Sequence, residues 1–368
     1  MRGKHKANVT WGIGPFNHKQ KGTYMSHGIE LTNGRANMAY TGRTPWHNLG
    51  QNIEGAFDAE TALREANLDW EVEVAPLYYE TLENLDESGS RQYIKHVKSD
   101  KGQIVRRVDT GDELGVVGPK YSPLQNKDAF AFFDGVFGEG KARYETAGYL
   151  GKGERMWLLA NMTANDPVEI LPGDEVNKYL LLTNDFTGSY SVLGSFTPVR
   201  VVCNNTLTAA VSSIIKGGNT VRVKHVGDVK NRLQFAGEVL AQSGVFYDEV
   251  KNLFQSFARK QLNGEQTRNY IHLSLFDDNK KTKSRKRKVD MVEGLMHTGL
   301  GSDIAGVRGT VWGAYNAVTE YVDHIKEYRG GDAKKLEASQ FGTGRHLKTK
   351  ALKLGAEIVS YGKVAALN

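Results

Sequence analysis

The feature that most constrains the fold is a change of hydrophobic period near residue 227. Before it, short stretches alternate. DWEVEVAPLYYE (69–80) puts Trp70, Val72 and Val74 on one side and Glu71 and Glu73 on the other, the period of a half-buried strand. After it, VKNRLQFAGEVLAQSGVFYDEVKNLFQSFARK (229–260), TVWGAYNAVTEYVDHIKEYR (310–329) and HLKTKALKLGAEIVSYGKVAAL (346–367) space apolar residues by three and four, as helices do. Strands followed by helices define an α+β chain, with antiparallel sheets first and a mainly helical C-terminal part after them. At 368 residues it is long for one core and natural for two, or for one large body with a helical extension.

Finer punctuation divides it further. Residues 1–37 are rich in Gly, Lys, His and Asn without periodicity and read as an extended or mobile arm. TPWHNLG (44–50) reads as a turn in which Trp46 plugs into the body. A sheet-rich core spans 38–227. It opens with a helix over 57–68, capped by Asp58, and three or four antiparallel strands follow: 69–80, 91–102 ending in a turn, 103–110 and 113–118. A helix over 126–138 then aligns Phe130, Phe133 and Phe137. More strands follow within 142–202, NNTLTAAVSSII (204–215) reads as a helix capped by Asn204 or Asn205, and VRVKHVG (221–227) is one more short strand. The helical region spans 228–368 and contains a basic loop at 280–288.

That loop, KKTKSRKRK, carries seven positive charges in nine residues: Lys280, Lys281, Lys283, Arg285, Lys286, Arg287 and Lys288. Such density would displace counterions from a phosphate backbone and bind it in a salt-dependent way. The competing reading is a solvated surface loop without a partner. The run contains no aromatic, so base stacking has to come from elsewhere. The strands supply a candidate, with Tyr78, Tyr79 and Tyr93 beside Arg91, Lys95, Lys98, Arg106 and Arg107. Aromatics interleaved with bases make a single-strand platform, although tyrosines and charges also decorate any half-exposed sheet. The net charge of +6 leans the same way.

Chemistry is harder to find. The single cysteine, Cys203, allows no internal disulfide and no zinc-finger set, which fits a reducing cytoplasm. It precedes an expected helix start, where a thiolate would be stabilised, but no histidine partner can be placed; an apolar strand end is the simpler account. Asn316, Glu320 and His324 recur every four residues with Asp323 adjacent. The stripe suits either a metal site or a hydrogen-bonded packing face, with Trp312, Tyr315 and Val322 toward the core. No phosphate-loop, dinucleotide or nucleophile-elbow motif occurs. The expected protein is therefore not an enzyme and uses no cofactor. No apolar run approaches the ~20 residues of a membrane span, and no secretory signal opens the chain.

MAYTGRTPWHNLG (38–50), WEVEVAPLYYE (70–80), LGVVGPKYSPLQN (114–126), YETAGYLGKGERMWLLA (144–160), FTPVRVVCNNTL (196–207) and TVWGAYNAVTEYVDH (310–324) resemble, in order, the phage/plasmid-related protein family. That family is a domain of unknown function in bacteriophages, plasmids and their hosts, and it brings no catalytic residues to transfer. The order of elements over 57–138 is also similar to the β-β-β-α core of Rad52-type single-strand annealing proteins, in topology alone. These resemblances imply a protein of the bacterial host cytoplasm that binds and anneals single-stranded DNA without ATP, as a homo-oligomeric ring or filament. The alternatives are an assembly factor acting on a phage or host protein, and a metal-dependent nuclease using Glu320, Asp323 and His324.

Overall fold

The structure, a computed structural model, describes residues 31–32, 35–41, 50–85, 92–162, 167–200, 205–206, 220–241, 246–278, 280, 282–328, 338 and 342–361. The turn around Trp46, Cys203, and the candidate contacts Arg91 and Lys281 lie outside them. So do most of the expected arm and most of the helix expected over 204–215.

Part of the expected arm is ordered sheet. Strand β1 (Leu31–Thr32) pairs antiparallel with β2 (Arg35–Ala36), and Ala36 and Asn37 are buried. The body therefore begins before residue 38. The strands expected from residue 142 onward fall in one large, mostly antiparallel sheet. Its strands are β3 (Met38–Tyr40), β4 (Gln51–Asn52), β8 (Tyr144–Leu150), β9 (Arg155–Asn161), β10 (Val168–Leu171), β11 (Asp174–Asp185), β12 (Val192–Arg200), β13 (Asn205–Thr206) and β14 (Thr220–Val223). The central path runs β13-β12-β11-β9-β8-β3-β4, with β10 on β11 and β14 on β12; among the described residues only β3 and β4 pair in parallel. Asn205, expected to cap a helix, instead lies in β13 opposite Arg200. The pleat sorts side chains to two faces. Ala39, Met156 and Leu158 join the main core, whereas Met38, Tyr40 and Trp157 form a small apolar cluster of their own.

A second, three-stranded antiparallel sheet is ordered β5-β6-β7, from β5 (Val72–Asn84), β6 (Gln92–Arg107) and β7 (Glu113–Val117). The strands expected at 91–102 and 103–110 are one strand, β6, and the turn expected between them is a bulge. Pro76 faces Gln103 and Tyr78 faces Lys98, so residues 99–102 stand against Leu77 alone. A proline has no N–H to give the ladder and settles at such irregularities. β7 pairs only with Gln103–Arg106. Beyond that point β5 and β6 continue as a two-stranded ribbon.

Helix α1 (Ala59–Glu65) starts where Asp58 Oδ1 accepts from Thr61 N at 2.9 Å. Lys127–Phe130 forms a 3-10 turn leading into α2 (Ala131–Phe137), and buries Phe130, Phe132 and Phe133. The C-terminal helices are α3 (Val229–Ala241), α4 (Phe246–Arg259), α5 (Gly264–Leu275), α6 (Lys283–Thr298), α7 (Val311–Glu320) and α8 (Thr343–Tyr361). A π-helical turn, Tyr321–Ile325, extends α7. α3 reaches α2 backbone to backbone: a Cβ on Gly237 would sit 2.4 Å from the Phe132 carbonyl oxygen. The helices share the sheet's core, which continues from Ala39 to Ile358. A buried hydrogen bond, Trp312 Nε1 to Asp174 Oδ2 at 2.8 Å, ties α7 to the start of β11. Among the described residues no helix is long and apolar enough to cross a membrane.

Candidate nucleic-acid interface

The basic run is not a loop. Thr282 caps α6, its hydroxyl accepting from Arg285 N at 3.3 Å, and Lys283 to Lys288 form the first turns of the helix. Val289, Val292 and Met296 are its buried face. A charged run with a cap residue inside it and apolar residues three apart just after it is a helix start; the sequence held that signal.

Arg285 is the member the fold consumes. Its guanidinium pairs with the Asp278 carboxylate, donates to the Lys280 carbonyl at 3.0 Å and lies 4.7 Å from the Phe276 ring centroid. Bonding from Arg285 holds the Asp278 carboxyl below its ordinary range. Three further acids nearby are occupied too. Asp277 accepts from Lys350 at 2.7 Å, and Arg268 on α5 pairs with both Asp290 and Glu293 of α6. Lys283, Lys286, Arg287 and Lys288 remain exposed, with no ion-pair partner among the described residues. Lys280 is also exposed.

These free cations sit at the wrong end of a helix. The N-terminus carries the positive end of the helix dipole, the first turn holds no acid, and Lys283 and Arg287 are like charges at i, i+4. The acids that could have relieved this are spent on anchoring. What remains is an uncompensated positive surface suited to phosphate.

The charge of Lys288 reaches a cation that carries an aromatic neighbour, which the run itself lacks. Lys326, just after the π-turn, is half-buried with its ammonium 3.5 Å from the Tyr328 ring centroid. Burial, and then Lys288, push the Lys326 ammonium below its ordinary value. Tyr328 donates to the Val322 carbonyl at 3.2 Å. Lys326 and Tyr328 stand far along the chain from Lys288, so no local pattern in the sequence could connect them.

The tyrosine platform on the strands does not form as one surface. Cross-strand pairing puts Tyr78 opposite Lys98 and Tyr79 opposite Val97, so the adjacent tyrosines face opposite sides. Tyr93 and Lys95 lie on the Tyr79 side, and both donate to Glu83, at 2.8 Å and 2.6 Å. Arg106 is held by Glu73 at 2.6 Å. Arg107 is buried, 5% exposed, and bound to Asp109, Tyr149 and the Lys152 carbonyl, with its guanidinium 4.4 Å from the Trp70 ring centroid. It is a structural residue and cannot touch a nucleic acid. Lys98 alone of these strand cations is exposed without a partner among the described residues. Sequence adjacency placed the groups together; register and burial take them apart.

The carboxylate–imidazole stripe on α7 also has structural work. Asn316 donates to the Trp312 carbonyl at 2.9 Å, Glu320 accepts from Leu300 N, and Asp323 pairs with the fully buried Lys348 at 2.6 Å. Among the described residues no group of three His, Cys, Asp or Glu is placed to hold a metal ion.

The molecule is thus an α+β protein in which a large antiparallel sheet carries a helical layer with one uncompensated basic helix end. Residues 113–340 match the family described as Domain of unknown function (DUF932), and with well over half its length matched the chain belongs to that family. The match takes in β7, the sheet from β8 onward, and α6 with Lys326. No curated protein and no solved structure matches the chain.

Proposed function

We propose that this protein binds single-stranded DNA through the N-terminal half of α6 and acts in recombination or replication by annealing strands without ATP. One observation carries the reading: Asp277, Asp278, Asp290 and Glu293 are engaged in anchoring pairs, while Lys283, Lys286, Arg287 and Lys288 stay without an ion-pair partner among the described residues, at the positive end of a helix dipole. A bound polyanion would relieve that repulsion further than screening by water and salt does. Lys326 and Tyr328 extend the surface with a further cation and a ring for base stacking. The resemblances to the phage/plasmid-related family and to the β-β-β-α order of Rad52-type proteins support annealing in particular, in the cytoplasm of a bacterial host.

The test is binding of purified protein to labelled single- and double-stranded DNA across a salt series, followed by an annealing assay. Single-strand binding is expected to weaken steeply with salt. Replacing Lys283, Arg287, Lys288 and Lys326 by Gln is expected to lower the log–log salt slope by ~0.7 for each phosphate that is no longer neutralised. An unchanged affinity and slope in that variant would remove α6 as the interface.

A second reading, an assembly factor for a phage or host protein, draws on a separate observation. The ribbon of β5 and β6 leaves Tyr78, Tyr79, Leu82 and Ile94 exposed. A protein partner that stays bound after nuclease treatment would favour it.

A further inference from the structure

Between β14 and the start of α3 the surface collects cations that folding does not neutralise. An open groove of ≈ 440 Å³ lies there, lined by Arg222, Arg232 and Phe235 among others. Arg222 is exposed and has no ion-pair partner among the described residues. Arg232 donates through Nη1 to the Val226 carbonyl at 2.8 Å and to the Lys224 carbonyl at 3.4 Å. Those bonds fix its guanidinium, while its Nε and Nη2 have no partner among the described residues. Lys224 is exposed and likewise without an ion pair among them. Arg345, in the first turn of α8, is half-buried and has no carboxylate partner among them either. Burial, and then Arg222, push its guanidinium below its ordinary value, so the two arginines stand within electrostatic reach of each other. A half-buried cation beside a like charge is costly unless an anion joins them. The one acid lining the groove is Asp228, and Asn231 bonds both of its oxygens. One carboxylate does not balance Arg222, Lys224, Arg232 and Arg345, and the groove stays positive.

An exposed ring shares the groove with these charges. Phe235 is 66% exposed, although the same helix buries Val229, Leu233 and Leu240. A large aromatic in the wall of a basic groove offers its face to a flat partner, and cations beside it suit a partner that is both flat and anionic. The charge is also local. Away from the groove Lys230 pairs with Asp128 at 2.7 Å, and Glu238, three residues on from Phe235, is exposed. The cations therefore make a spot for one phosphate rather than a track for a strand, and the groove has the size of a small-ligand site. A peptide carboxylate would bring a single charge and no ring. A phosphate monoester brings about two charges and three acceptor oxygens, which arginine forks bind well.

We propose that the α3–β14 groove binds a nucleoside monophosphate, its phosphate on Arg222 and Arg232 and its base on the ring of Phe235. The inference does not depend on strand binding at α6, because the groove shares no residue with that surface. The same chemical group occurs free and as the 5′ end of a strand, and the experiment separates the two sources.

The experiment is isothermal titration calorimetry on nuclease-treated full-length protein at low salt. Thymidine 5′-monophosphate is expected to bind, with thymidine and inorganic phosphate each at least about tenfold weaker, since each keeps only one of the two contacts. Phe235→Ala and Arg222→Gln, both at exposed positions, are each expected to weaken the monophosphate about tenfold with an unchanged circular dichroism spectrum. Phe235→Trp is expected to retain it. The variant carrying Lys283→Gln, Arg287→Gln, Lys288→Gln and Lys326→Gln is expected to bind the monophosphate as wild type does. In that variant, displacement of the monophosphate by a 5′-phosphorylated oligothymidylate but not by its 5′-hydroxyl counterpart would assign the group to a strand end, and displacement by neither would assign it to free nucleotide. No binding of the monophosphate, full affinity in Phe235→Ala or Arg222→Gln, loss of binding in the α6 variant, or displacement by both oligonucleotides alike would each overturn the proposal.

Discussion

Lys348 has no exposed surface and pairs with Asp323, whose second carboxylate oxygen has no hydrogen-bond partner. Removing one member of such a pair strands the other charge in a low-dielectric interior. Asp323→Asn is expected to lower unfolding free energy by about 3–5 kcal/mol in denaturant titration. The double variant Asp323→Leu, Lys348→Met is expected to recover most of that loss. His225 is a buried polar group of a different kind. Neither ring nitrogen has a hydrogen-bond partner, and the ring stacks on Tyr121 at 4.6 Å between centroids. Burial pushes its pKa down. The unfolded chain, with an ordinary imidazole near 6.5, therefore binds more protons in acid than the folded one. The stability linked to His225 is complete above about pH 6.5 and is lost as pH falls toward the depressed folded value. His225→Phe is expected to keep the stacking and flatten that part of the stability–pH curve. A slope equal to wild type would show that other groups control it.

At the scale of elements, α6 sets stability against binding. Its first turns would be more stable with acids, and its cations oppose both the dipole and one another. Lys283→Glu with Arg287→Glu is expected to raise the thermal midpoint slightly while weakening single-strand binding roughly tenfold or more at low salt. A variant that lost stability and binding together would instead show these residues to be structural. The ribbon is the other exposed element. Its strands are held by register and by the Glu83, Tyr93 and Lys95 bonds, and Tyr78, Tyr79, Leu82 and Ile94 on its faces are exposed.

Across the whole molecule, sheet and helices meet in one continuous apolar cluster, with Trp312–Asp174 and the close α2–α3 approach at Gly237 crossing between the two regions. A chain ending at residue 227 would leave the core side of the sheet uncovered. It is expected to be insoluble or to bind hydrophobic dyes, whereas a cooperative unfolding transition from that fragment would show that the sheet folds alone.

Much of this was legible from local pattern. Alternation announced β5, apolar stretches between turn residues announced β9 and β11, three-and-four spacing announced helices such as α3, α4, α7 and α8, and Asp58 marked the start of α1, because these signals depend on neighbours in sequence. The merging of two expected strands into β6 was hidden, since it depends on where Pro76 falls in the opposite strand. Composition likewise determined that the chain would carry a dense positive cluster. Only tertiary structure decided which cations stay free. Arg285, Arg106 and Arg107 are drawn into pairs by acids and rings that folding brings to them. Lys283, Lys286, Arg287 and Lys288 are left over, and Lys326 and Tyr328 arrive from a distant helix end. Charge is a property of a residue, but an unpaired charge is a property of its surroundings, and those exist only after the chain has folded.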